Sequence, residues 1–151
     1  MRKLLLIAPL ILFSFSCATT QQEGATVITQ EEVKAEILGD SVPIYPGFKL
    51  VPTKSFIYES GDIKVGRLVF VGKASVKDVV SYYKNTLPEK GWEPVAITIY
   101  GNSAELTFTT PEQFLQIEVK KGFSETTLII QIGPRGASAQ TLQEGELTNQ
   151  Q

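Results

Sequence analysis

The 151 residues contain no histidine, and cysteine, methionine and tryptophan occur once each. Lack of histidine removes Ser-His and Cys-His nucleophile pairs, the usual general base near neutral pH and the commonest zinc ligand. A single cysteine, Cys17, cannot build a disulfide framework. There is no glycine-rich phosphate loop, since Gly61, Gly66 and Gly72 are spaced as turn and strand glycines. Runs of like charge are missing too. The 14 Lys and Arg are dispersed among 16 Asp and Glu, with a formal net charge of −2. Nucleic acid, which needs clustered cations, is therefore not an expected partner. No cofactor or metal is expected.

What is present begins with a leader. Arg2 and Lys3 precede an apolar stretch over residues 4–15, interrupted by Pro9 and Ser14, and Ser16 leads into Cys17. A membrane span needs ~20 apolar residues. This stretch is shorter and has the layout of a cleaved signal peptide over residues 1–16. Ser16-Cys17 resembles the lipobox of bacterial lipoproteins, in which a small residue precedes a cysteine that becomes acylated; Ser14 departs from the aliphatic residue usual there. The alternative is a secreted protein cut near Ala18 with one free thiol. The resemblance implies two or three acyl chains on Cys17. At ~0.8 kcal/mol per buried methylene these hold a protein on a bilayer stably. Lipoproteins retained in the inner membrane commonly carry Asp after the cysteine. Ala18 stands there instead, which implies an outer-membrane anchor with the chain facing the periplasm. Loss of the leader removes two cations, leaving 12 against 16 acids, net −4.

Beyond Cys17 the chain divides in three. Residues 17–42, rich in Thr, Gln and Glu, read as the lipidated cysteine and a flexible tether. Within it, Thr29 and Glu32 form a capping box, Val33 and Ile37 share a helical face, and Gly39 stops the turn. So short a helix frays unless it docks. Residues 136–151 hold no aromatic group and read as a disordered tail.

Residues 43–135 read as one folded domain. Pro43, Pro46 and Pro52, around Tyr45, Gly47 and Phe48, predict an extended strap. Alternation through Phe56 and Tyr58, the Gly61-Asp62 turn and residues 63–71 predict a hairpin. Ser75 and Asp78 open a helix whose Val76, Val79, Val80, Tyr83 and Leu87 make one apolar stripe. Pro88 and Gly91 end it, and Trp92 plugs the core. Four period-two runs follow: Val95/Ile97/Ile99, Ala104/Leu106/Phe108, Leu115/Ile117/Val119 and Leu128/Ile130/Ile132. Such runs joined by short turns predict an antiparallel meander with one wet face. The predicted fold class is α+β, a two-layer sandwich of order β-β-α-β-β-β-β with one main helix.

Residues 54–60 (KSFIYES) and 65–72 (VGRLVFVG), with Tyr82-Tyr83, Gly91-Trp92 and Leu106-Thr107-Phe108, resemble a family of small uncharacterised lipoproteins of Gram-negative bacteria. A helix on a meander also resembles, in architecture only, the helix-grip domains of lipoproteins attached to the outer-membrane protein assembly machine. These resemblances imply a fold and an address, and no activity.

Few residues suggest chemistry. Glu105 and Glu118 fall on successive strands, and paired acids can hydrolyse glycosides; solvated acids on a wet sheet face are the plainer reading. Glu59 and Asp62 flank a turn, two acids where Ca²⁺ takes ~6–8 oxygens. Tyr100, Thr107, Phe114 and Ile129 share the outward parity of the meander and form a candidate partner surface, with an open sheet edge as the other candidate. Tyr45, Phe48 and Trp92 mark a candidate ligand groove. The expectation is an envelope lipoprotein, membrane-bound through Cys17, whose non-catalytic domain engages another envelope protein; the alternative is a small-ligand or glycan-binding module.

Overall fold

The computed structural model of the chain describes residues 28–136. Expectations for the leader, Cys17, residues 18–27 and residues 137–151 lie outside the described residues.

Chain order is α1 (Gln30–Val33), a π-helical turn (Lys34–Leu38), β1 (Lys49–Leu50), a 3-10 turn (Pro52–Lys54), β2 (Phe56–Ser60), β3 (Ile63–Gly72), α2 (Val76–Glu89), β4 (Glu93–Tyr100), β5 (Ser103–Thr109), β6 (Gln113–Lys121) and β7 (Thr126–Pro134). All strand pairs are antiparallel. The sheet order is β1-β3-β7-β6-β5-β4, with β2 also paired to β3. The α+β class and the β-β-α-β-β-β-β order are present, with the short β1 and α1 added.

α2 forms as its sequence requires. The Ser75 hydroxyl accepts from the Asp78 N–H at 3.1 Å, and Val76, Val79, Val80, Tyr83 and Leu87 are buried as one face. At ~1.5–3 kcal/mol per buried side chain, this stripe is a principal contribution to stability. The helix runs on to Glu89, one residue past Pro88. Proline removes a donor only from the final turn there, and the left-handed Gly91 completes the stop. Opposite the stripe lie Leu106, Phe108, Leu115, Ile117, Leu128 and Ile130, all fully buried.

The tether expectation requires correction. Residues 28–42, read as tether, are packed on the domain expected to start at residue 43. The capping box is formed, with the Glu32 N–H donating to Thr29 Oγ1 and the Thr29 N–H donating to Glu32 at 2.7 Å. Val33, Leu38 and Val42 are buried in the same core as α2. The strap then climbs the sheet to Phe48, whose ring lies over Gly72. A Cβ at Gly72 would fall 2.7 Å from Phe48 Cγ and 2.8 Å from Cε2, so the approach requires glycine. The Tyr83 hydroxyl donates to the Pro43 carbonyl at 3.1 Å, and Trp92 Nε1 donates to the Ser41 carbonyl at 3.1 Å. The second layer is therefore α2 and the N-terminal segment side by side.

Candidate interaction surfaces

The two sheet edges are finished differently. Along β3, the outer edge is sealed by β1 and β2 with the 3-10 turn between them. Where that turn interrupts the ladder, the Ser55 hydroxyl accepts from the Val69 N–H (2.9 Å) and donates to the Val51 carbonyl (2.9 Å). The far end of this edge carries an ion pair, Lys64 Nζ to Glu59 Oε1 at 2.5 Å.

β4 is the other edge, and among the described residues no strand pairs with its far side. The Gly101-Asn102 turn joins Tyr100 to Ser103, and a two-residue hairpin makes that flanking pair the hydrogen-bonded one. Alternation then makes Thr98↔Glu105 hydrogen-bonded and leaves Ile97↔Leu106 and Ile99↔Ala104 non-bonded. The backbone N–H and C=O groups of Ile97 and Ile99 therefore face away from β5, into solvent. A register shift between Pro94 and Ala96 confines the straight part of the edge to residues 96–100. Side chains repeat the message: Val95 is 62% exposed, Ile99 61% and Tyr100 53%. The run Val95/Ile97/Ile99 has the period of a half-buried strand, but α2 covers only Ile97 in part. Glu93 is the only charged residue in the strand. Natural edges are usually blunted by lysine, a covering loop or brevity.

The outward residues singled out in the sequence do lie on the sheet face opposite α2, but not as one patch. Tyr100 stands at the β4 end of a row that continues through Ser103, Lys120 and Thr127. Thr107 and Phe114 are diagonal neighbours on β5 and β6, Thr107 pairing with Gln116. Ile129 is buried between Val69 and Glu118. Polar Gln116, Glu105 and Glu118 separate Tyr100 from the rest. What the sequence reading missed is a group at the β2 side of this face: Phe56 and Tyr58 (55% exposed) beside buried Val65 and Val69. Phe114 joins it by lying against Gly133, where a Cβ would meet its ring at 2.9 Å. The available signal was the parity of Phe56 and Tyr58 with Val65, once the hairpin register is known.

Tyr45, Phe48 and Trp92 do not line a groove. Phe48 and Trp92 are buried, 3% and 2% exposed, and Trp92 spends its indole donor on Ser41. Tyr45 packs edge-on with Phe48 (centroids 5.3 Å apart) and Tyr82 (5.1 Å), and Tyr82 with Tyr83 (5.1 Å). This is a chain of aromatics cementing the strap to α2, worth ~0.5–1.5 kcal/mol per pair beyond burial. Burial lifts the Tyr83 hydroxyl far above the ordinary tyrosine range and, with Tyr45 alongside, raises Tyr82 as well.

Glu105 and Glu118 are directly opposed across β5 and β6. Each is answered locally: Glu118 by Lys120 Nζ at 2.5 Å, Glu105 by a hydrogen bond from Gln116 Nε2. Glu59 is taken by Lys64, so it does not point with Asp62 at a common cation. Among the described residues no three His, Cys, Asp or Glu side chains gather as a metal site, and no helix is long and apolar enough to cross a membrane. A shallow depression beside α1 is lined by Glu31, Lys34, Gly39 and Asp40, and lacks the apolar floor of most small-molecule sites.

No family model, curated protein or solved structure matches the chain.

Proposed function

We propose that this protein is a lipid-anchored component of a bacterial envelope whose domain is a non-catalytic interaction module, and that it takes an extended segment of a protein partner along the free edge of β4. The anchor part rests on the leader ending in Ser16-Cys17. The interaction part rests on one observation: Ile97 and Ile99 turn unpaired backbone groups to solvent beside exposed apolar side chains. An added strand satisfies those groups and covers Val95 and Ile99, the chemistry of β-augmentation. The small-ligand alternative receives no comparable support, because Tyr45, Phe48 and Trp92 are occupied by one another and by the strap.

The test combines crosslinking with a backbone substitution. A photoreactive residue at Val95, exposed on the same strand, should in intact cells give one dominant protein adduct, and the same probe at Asp62 should not. Ile99→Pro removes a donor that faces the free edge and leaves the β5 ladder whole, because proline is tolerated at edge positions. It should abolish partner co-purification with little change in thermal stability. An adduct that survives Ile99→Pro at wild-type yield would refute strand addition.

A further inference from the structure

The two ends of the sheet differ in charge. Register brings together the β3–α2 loop, the β4–β5 and β6–β7 turns and the start of α2, since Gly72 pairs with Thr126, Thr126 with Lys121 and Lys120 with Ser103. Lys49, Lys73, Lys77, Lys120 and Lys121 are exposed at this end, against Asp78 and Glu125. At the opposite end Asp40, Glu59, Asp62, Glu89, Glu93 and Glu112 outnumber Lys64, Lys90 and Arg135.

Phe123 stands at the tip of the basic end, 108% exposed, in the β6–β7 turn. The turn is pinned from three sides. Gly122 N–H donates to the Glu125 carbonyl at 2.8 Å, Lys121 N–H to the Asn102 carbonyl at 2.8 Å, and the fully buried Thr126 hydroxyl to the Ala74 carbonyl at 2.6 Å. The ring is held out by a rigid support rather than left over from a loose loop.

The N-terminal segment also enters from this half. The Gln30 side chain accepts from the Leu50 N–H at 3.1 Å, level with Phe70, whereas Glu36 reaches Lys64 at 3.9 Å and Ile37 sits against Gly66. α1 and its continuation therefore run away from the basic end, and Ile28 lies on the basic half. Eleven peptide units join Cys17 to Ile28, which caps their separation at about 40 Å whatever their conformation.

We propose that the basic end is a membrane-docking face. Phe123 enters the headgroup region of an anionic lipid surface, and Lys73, Lys77, Lys120 and Lys121 meet the phosphates around it. The proposal rests on the anchoring reading above for which membrane is docked, and on the domain's own charge and shape for which end faces it. Attraction of this kind fades within ~8 Å at physiological salt, so only the end nearest the bilayer takes part. A lipid chain plus a basic patch is also the usual two-signal arrangement for stable attachment. Docked in this way, the sheet stands with the acidic end away from the lipid and the β4 edge running outward from the surface.

Phe123→Cys in the full chain tests this. With Cys17 acylated it carries the only free thiol, which takes an environment-sensitive nitrobenzoxadiazole label. In vesicles of phosphatidylethanolamine and phosphatidylglycerol, the label at 123 should emit blue-shifted and be shielded from an aqueous quencher, while the same label at Asp62→Cys remains quenchable. Adding Lys73→Glu and Lys121→Glu should remove the shielding. Equal quenching at 123 and 62 overturns the proposal. If the unsubstituted chain itself takes the label, Cys17 is free and the anchoring reading falls separately. The docking face is then judged on Cys17→Ser/Phe123→Cys mixed with the same vesicles. A preference over phosphatidylcholine vesicles that drops about fivefold per lysine removed upholds it, and binding indifferent to lipid charge refutes it.

Discussion

Leu38→Ala separates a packed N-terminal segment from a passive tether. Leu38 is 1% exposed and belongs to the same core as Tyr83 and Trp92. Truncation to alanine removes three carbons, about 2.4 kcal/mol of transfer free energy at ~0.8 per methylene. The cavity adds to this where neighbours cannot collapse, giving an expected total of roughly 2.7–5 kcal/mol. Collapse is restricted here because the segment is held at several points, by Trp92 Nε1 on Ser41, the Tyr83 hydroxyl on Pro43 and Phe48 over Gly72. A domain of this size has ~5–15 kcal/mol of stability, so the loss is a large fraction of the total. At ~4–8 °C per kcal/mol it lowers the Tm by more than 10 °C. Urea unfolding of the Cys17→Ser chain, followed by the fluorescence of the single Trp92, measures it directly, because the indole reports on the carbonyl it bonds in this segment. Lys34→Ala, an exposed change one turn earlier, is the control and should lie within ~0.5 kcal/mol of the parent. A Leu38→Ala variant as stable as that control would refute docking of the segment and return residues 28–42 to the tether.

Gly72→Ala should cost ~1–3 kcal/mol by forcing a methyl into the Phe48 ring, and Phe48→Leu should recover part of that loss, read as a non-additive double-mutant cycle in the same urea assay. Tyr83→Phe removes the hydrogen bond to Pro43 and should cost ~0.5–1.5 kcal/mol. Because burial raises the Tyr83 pKa, the folded state holds the proton that the unfolded chain releases. Stability from this group is therefore complete below the ordinary tyrosine value near 10 and falls as pH rises above it. Alkaline unfolding of Tyr83→Phe should be shallower than that of the parent, and identical pH profiles would remove Tyr83 as the cause. Ile99→Lys should leave the Tm within about 2 °C, since the site is exposed, yet prevent partner capture by placing a charge on the edge. A drop of the size seen for a core substitution would mean that Ile99 is packed.

The meander and α2 were legible because their information is local. Period-two alternation from residue 95 to 132, turn residues at Gly101-Asn102 and Pro111-Glu112, and the Ser75 cap with its apolar stripe each commit a segment without reference to distant residues. Residues 28–42 were not legible in the same way. Their composition is that of a solvated linker, with Val33, Leu38 and Val42 buried in the core and Ile28 and Ile37 packed against it. What orders them is tertiary: a backbone carbonyl at Ser41 for the indole of Trp92, and a glycine at position 72 that lets Phe48 close down. No window along the chain contains both partners of either contact. The capping box at Thr29 and Glu32 was the one local sign that a helix starts there, and it is formed.

The interaction surfaces show the same limit from the other side. Alternation assigns a face to a side chain but not what lies over that face. Ile97, Leu106, Ile117 and Ile130 share one row across four strands, and their patterns are alike in sequence. The last three are fully buried and the first only in part, because α2 reaches β4 as well as β5 and β6 but no described strand flanks β4 on its far side. Val95 and Ile99 thus read as core and are surface. Tyr100 read as part of a patch with Phe114 and Ile129, but its row leads to Lys120 and the basic end. Exposure here depends on a strand's place in the sheet order, which no local pattern carries. Strand addition at β4 answers this geometry in particular. It extends the sheet at its unflanked edge, and it covers side chains whose sequence pattern already suits a strand buried on one face.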